Sequence, residues 1–70
     1  MRIDIKIKSR KLGRTIRFMA RETSGYVFVD PGCMTWGEQL FDRNGNAEIA
    51  RSEAALRRVA RRYISRVAAV

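Results

Sequence analysis

Hydrophobic and polar residues alternate regularly over the first third of the chain. Every second residue from Ile3 to Ile7 is isoleucine, with charged residues between them, and Ile16 and Phe18 resume the pattern. Period-two alternation of β-branched and aromatic residues is typical of strands with one buried face. We therefore predict strands over about residues 2–8 and 15–21, joined as a hairpin by a six-residue loop, SRKLGR.

Shorter apolar segments follow in the middle of the chain. Asp30-Pro31-Gly32 is a turn sequence, because proline presets φ and glycine accepts a positive φ. The segments on either side of such turn residues are predicted to form three more strands, over about residues 26–30, 38–42 and 46–50.

Asn44-Gly45, between the last two of these segments, is a strong hairpin signal. Two alignments of the flanking residues remain open. A type I′ turn would pair Leu40 with Ile49, whereas a three-residue loop with Gly45 in the left-handed conformation would align Phe41 with Ala47.

The C-terminal stretch SEAALRRVARRYISRVAAV changes to a helical period. Ser52 is a suitable N-cap, and Glu53 would lie in the first turn, where the helix dipole favours an acid. The pattern predicts a helix over about residues 52–68. Apolar residues at helical spacing form one stripe along it: Leu56, Val59, Ala60, Tyr63, Ile64 and Val67.

Together these elements predict one domain over residues 1–70, of the α+β class. A small antiparallel β-meander of three to five strands would be covered on one face by the single C-terminal amphipathic helix. The helix stripe would pack on residues drawn from the strands: Ile3, Ile5, Ile7, Ile16, Phe18, and some of Val27, Val29, Leu40, Phe41 and Ile49. Such a core is small, so we expect modest stability or a dimer.

Charge adds a functional hint. The 15 Lys and Arg against 7 Asp and Glu give a net charge of +8 and a pI near 11.1. Residues 1–21 carry eight bases and one acid, residues 22–50 one base and five acids, and residues 51–70 six bases and one acid. A strongly basic domain with clustered cations is typical of nucleic-acid binding.

The helix places like charges next to each other. Arg58 and Arg62, and then Arg62 and Arg66, are i,i+4 pairs that each cost a few tenths of a kcal/mol. The arginines could form a solvated surface, or contact phosphates or a groove. They could also pair with an acidic protein, with the acidic middle of this chain, or with a second copy of it in a homodimer.

A second basic surface is expected on the sheet. If the isoleucines face the core, then Lys6, Lys8, Arg17 and Arg21 share the opposite face, and the SRKLGR loop could lie along a phosphate backbone. By analogy of architecture alone, and with no shared motif, the predicted fold resembles domains that insert a small antiparallel sheet into the major groove with a helix behind it, such as integrase arm-binding and plant AP2-type domains. The candidate nucleic-acid-binding residues are Lys6, Lys8, Arg10, Lys11, Arg14, Arg17, Arg21, Arg58, Arg61, Arg62 and Arg66.

Other chemistry has little support in the sequence. There is no histidine, Cys33 is the only cysteine, and the glycines are scattered singly, so we predict no enzyme activity, no metal site and no cofactor. Cys33 fits a reducing compartment or a dimer bridge. Trp36 and Tyr26 could stack on bases, but they are not interleaved with the basic runs. With no signal peptide and no membrane span in the pattern, we expect a cytoplasmic protein that does not bind membranes.

The sequence thus predicts a small basic module that binds nucleic acid, DNA rather than RNA, through phosphate contacts. The alternative is a protein-interaction module or inhibitor that directs the same cations at an acidic partner protein. The small size is in keeping with an accessory role in a bacterial or phage setting.

Overall fold

The computed structural model describes residues 2–30 and 37–68, and these form one antiparallel sheet with one helix packed on it. The strands follow one another in the order β1-β2-β3-β4, so the sheet is a meander. This is the predicted α+β arrangement. The elements are β1 (Ile3–Ser9), β2 (Arg14–Ala20), β3 (Val27–Asp30), β4 (Glu38–Gln39) and α1 (Glu53–Ala68).

The first hairpin has the predicted faces but a tighter turn. Ile5 lies opposite Phe18, so the alternating apolar residues share one face of the sheet. Ser9 pairs with Arg14, which leaves a turn of four residues in place of the predicted six. The turn closes early because the Leu12 N–H donates to Ser9 Oγ at 3.1 Å and Gly13 adopts a φ of 68°.

The second hairpin, over residues 40–48, contains less regular strand than predicted. Of the two alignments, the structure has the one that pairs Phe41 with Ala47, and Gly45 has a φ of 86°. Residues 38–42 and 46–50 do not form continuous strands; beyond β4 they contribute isolated bridges. The Asp42 carboxylate accepts the N–H groups of Asn44 and Asn46, at 2.8 and 2.9 Å, and this local turn replaces a longer ladder.

The core lies between α1 and the inner face of β1 and β2. Phe18 and Leu56 are fully buried, and the ring of Tyr63 meets that of Phe18 edge-on with centroids 5.7 Å apart. Ser52 caps the helix as predicted, because its Oγ accepts the Ala55 N–H at 3.1 Å. The strand and helix residues that form the buried cluster are Ile5, Ile16, Phe18, Ala20, Val27, Val29, Leu40, Ala50, Leu56, Val59 and Ala60.

Of the five candidates for the core in the middle of the chain, Val27, Val29 and Leu40 are buried and two are exposed, and one residue of the helix stripe is exposed as well. Phe41 and Ile49 have 48% and 43% of their surface accessible, because their neighbours Leu40 and Ala50 occupy the inward-facing positions. Val67 is also exposed; it lies in the last turns of α1 near the two-residue β4, which offers little surface to cover it.

We expect alanine to be far less tolerated at Gly25 than at Gly45. Both glycines have a positive φ, which alone costs about 1 kcal/mol for alanine. A Cβ on Gly25 would also lie 3.0 Å from Ile49 Cγ2 and 3.3 Å from the Ala50 carbonyl oxygen, whereas a Cβ on Gly45 meets nothing within 4 Å. Urea unfolding should show an additional loss of about 1–3 kcal/mol for Gly25→Ala. Equal losses for the two variants would contradict this packing.

Candidate nucleic-acid interface

The strand register places the predicted basic residues of the sheet on its outer face, which is the face turned away from α1. Lys6 lies opposite Arg17 and Lys8 opposite Thr15, out of phase with the buried isoleucines. Arg21 follows β2, and its guanidinium lies 5.4 Å from the ring centre of Phe28.

The outer face is not uniformly basic. Asp4 accepts a hydrogen bond from Arg17 Nε at 3.1 Å and forms an ion pair with Arg2 Nε at 3.3 Å. Asp30 lies opposite Arg17 on the other side, and Phe28, under the Arg21 guanidinium, is half-buried. The charge of Arg17 is therefore balanced by nearby acids, and the excess of positive charge lies farther along the strands.

That excess extends from the middle of β1 to the turn between β1 and β2. We call this group of exposed cations the hairpin end; it consists of Lys6, Lys8, Arg10, Lys11 and Arg14. Within the described part of the chain, neither lysine of β1 forms an ion pair, nor do Arg10 and Lys11. The half-buried Leu12 packs against the core and anchors the turn, so its two exposed cations are carried on a defined backbone.

The helix arginines, Arg58, Arg61, Arg62 and Arg66, form a separate surface. Arg62 Nη2 donates to Glu48 Oε1 at 3.0 Å, and Glu48 is only 8% exposed. An open depression of about 590 Å³ is lined by this ion pair together with Asp42, Arg43, Arg61, Ser65 and Arg66. The acidic middle of the chain thus meets the basic helix within one molecule.

The structure does not unite the eleven predicted residues into one site. Because α1 packs on the inner face of the sheet, the four helix arginines named above and the outer-face cations lie on opposite sides of the domain, whereas Arg57 lines a depression together with Lys6 and Arg17. Tyr26 is exposed, but it pairs with Arg21 at the end of the sheet away from the turn, so it cannot stack on a base held there. Cys33 and Trp36 lie outside the described residues.

Pairing of the helix arginines with the acidic middle of the chain was an alternative that the sequence left open, and the contact of Arg62 with Glu48 is such a pair, but the sequence did not identify the individual partners. The alternation of side chains along the strands places Asp4 on the same face as Arg17, so their ion pair could have been predicted from the sequence. The contact of Glu48 with Arg62 had no comparable signal, because it joins an irregular segment to a helix 14 residues away. Among the described residues, no helix has the length and apolar character needed to cross a membrane.

We expect the helix arginines to differ in their effect on stability. Arg62→Ala leaves the buried Glu48 carboxylate without its partner and should cost about 1 kcal/mol, since the arginine itself is largely exposed. Arg58→Ala removes the same charge from the same helix, has no ion pair to lose among the described residues, and relieves repulsion from Arg62. Urea unfolding should therefore show a change within about 0.5 kcal/mol for Arg58→Ala. Equal losses would show that the contact with Glu48 contributes nothing.

No protein-family profile matches the chain, and neither the curated proteins nor the solved structures gave a significant match. The arrangement of charge on the fold is consequently the basis for a functional proposal.

Proposed function

We propose that this domain binds duplex DNA through phosphate contacts made by the hairpin end. The observation that carries the proposal is the group of exposed cations at one end of the sheet, of which Lys6, Lys8, Arg10 and Lys11 have no ion pair within the described residues. Three acids of the chain form ion pairs with its own arginines: Asp4 with Arg17, Glu48 with Arg62, and Glu53 with Arg57.

The geometry of the hairpin suits an extended polyanion. Lys6 and Lys8 project from the same face of one strand, about 7 Å apart by strand geometry, and Arg10 and Lys11 continue the series around the turn. Lysine binds phosphate as a point charge, and arginine can donate two parallel hydrogen bonds to it. A row of such donors follows a backbone and supplies binding that does not depend on base sequence.

The charge arrangement has a cost when no partner is bound. Lys6, Lys8, Arg10 and Lys11 follow one another along β1 and the turn without an ion pair among the described residues, and neighbouring like charges repel each other. Nearby phosphates would remove this repulsion and release counterions from the nucleic acid, which favours association. The helix arginines are the less favoured contact surface, because Arg62 is held by Glu48 and Asp42 lines the same depression.

The first test is the salt dependence of binding to a short DNA duplex. If about five phosphates are contacted, the logarithm of the association constant should fall with the logarithm of salt concentration at a slope of about −4.5. Fluorescence anisotropy titrations at several salt concentrations measure it. Absence of binding at low salt, or binding that does not respond to salt, would refute the proposal. Binding to polyglutamate but not to DNA would favour an acidic protein as the partner.

The second test assigns the surface. The double variant Arg10→Ala/Lys11→Ala should weaken DNA binding and make the salt slope about two units less steep. The matched control Arg58→Ala/Arg61→Ala removes the same net charge from the helix and should leave the slope close to that of the wild type. If the control loses the slope instead, the helix is the interface. Equal losses in both variants would indicate attraction by net charge alone.

A further inference from the structure

β1 is an edge strand of the sheet. It pairs with β2 on one side, and on the other side no described residue hydrogen-bonds to it. The strand is seven residues long, which is long for an edge. An edge of this kind presents a row of backbone donors and acceptors that can pair with another strand.

The hydrogen-bond phase identifies which residues face the open side. The Arg21 N–H donates to the Tyr26 carbonyl, so Arg21 and alternate residues before it direct their backbone groups towards β3. The residues between them, including Phe18, bond to β1, where Phe18 lies opposite Ile5. The N–H and C=O groups on the open side of β1 therefore belong to Asp4, Lys6 and Lys8, with Arg2 just before the strand.

The open edge also exposes apolar surface. Ile5, at the centre of β1, is 5% exposed, but Ile3 and Ile7 on either side of it are only half-buried. They pack against the core cluster from one side, and part of each side chain faces solvent. A strand added at this edge would cover both and extend the core.

We propose that two copies of this chain pair through β1 in antiparallel fashion, with the two-fold axis at Ile5. In this register Ile3 of one copy lies opposite Ile7 of the other. Asp4 lies opposite Lys6 of the second copy, and the same pair recurs on the other side of the axis. Up to about eight backbone hydrogen bonds join the two strands.

Charge selects this register over its neighbours. An axis at Asp4 places two aspartates opposite each other, and an axis at Lys6 places two lysines together, both unfavourable. If the two-fold axis passed between two residues, each isoleucine would lie opposite a charged residue of the other copy. The isoleucines of one copy would then lie on the outer face of the sheet. With the axis at Ile5, the like-charged pairing of Arg2 with Lys8 occurs only at the two ends of the paired segment, whereas the opposite charges of Asp4 and Lys6 lie next to the axis.

Pairing also bears on the proposed function, and this step rests on that proposal. A two-fold axis perpendicular to the sheet leaves both outer faces on one side and both helices on the other. Arg10 is five residues from Ile5, so the Arg10 residues of the two copies would lie about 34 Å apart at roughly 3.4 Å per residue. That separation is close to one helical turn of B-DNA, and the dimer would reach successive turns on one side of the duplex.

The experiment measures the mass of the full chain by sedimentation equilibrium, in reductant so that Cys33 cannot form a bridge. Wild type should be a dimer. Lys6→Pro removes a donor from the open edge and none from the β1–β2 ladder, so it should fold by circular dichroism and remain monomeric. Lys6→Ala is the matched control: it loses the same charge but keeps the N–H, and its dimer should weaken by only about tenfold. A monomeric wild type at its highest soluble concentration overturns the proposal.

Exchange of the charges of Asp4 and Lys6 tests the register of the two paired strands. It also tests the pairing itself if the Lys6→Pro variant does not fold. Asp4→Lys and Lys6→Asp should each weaken the dimer, because each places like charges opposite each other, and the combined Asp4→Lys/Lys6→Asp variant should recover it. No recovery in the combined variant overturns the register. A wild-type dimer that does not bind DNA would refute the proposed function alone, and a monomer that binds DNA would refute the pairing alone.

Discussion

The burial of one sheet face under one helix is the constraint on which the rest of the structure depends. Phe18 and Leu56 are completely buried where α1 crosses the sheet, and Tyr63 closes over Phe18 from the side. A domain of 70 residues has little other apolar surface to bury, so removal of this contact would leave no second core. Every polar residue of the strands must therefore lie on the outer face, at a turn or at an edge.

This separation explains why cations gather where they do. Period-two alternation sends Lys6 and Lys8 to the outer face in the same way that it sends Ile5 inward. The fold does not require those residues to be basic, since any solvated side chain would serve there. Asp4 shows that an acid is accommodated on this face and finds partners. The turn sequence SRKLGR contains no acid, and the packing of the core does not require this.

The fold was predictable where the period is regular, and less so where local hydrogen bonds compete with it. The alternation around Ile5 and Phe18 and the cap at Ser52 follow from short-range chemistry and are confirmed. The strand after Gly45 was overpredicted because the Asp42 carboxylate takes two backbone N–H groups. The partners of the helix arginines were left open for a different reason: the contact of Arg62 with Glu48 depends on which residues of an irregular segment face inward.

The two basic surfaces are consequently not equivalent. On the helix, Arg62 stabilises the domain by compensating the buried Glu48 carboxylate, so part of this positive charge has a structural role. At the turn, Arg10 and Lys11 compensate no carboxylate among the described residues. A charge that stabilises nothing within its own molecule is better explained by a partner outside it. This is the reason for which we propose the hairpin end, with its basic side chains on a turn anchored by Leu12, as the surface that binds a phosphate backbone.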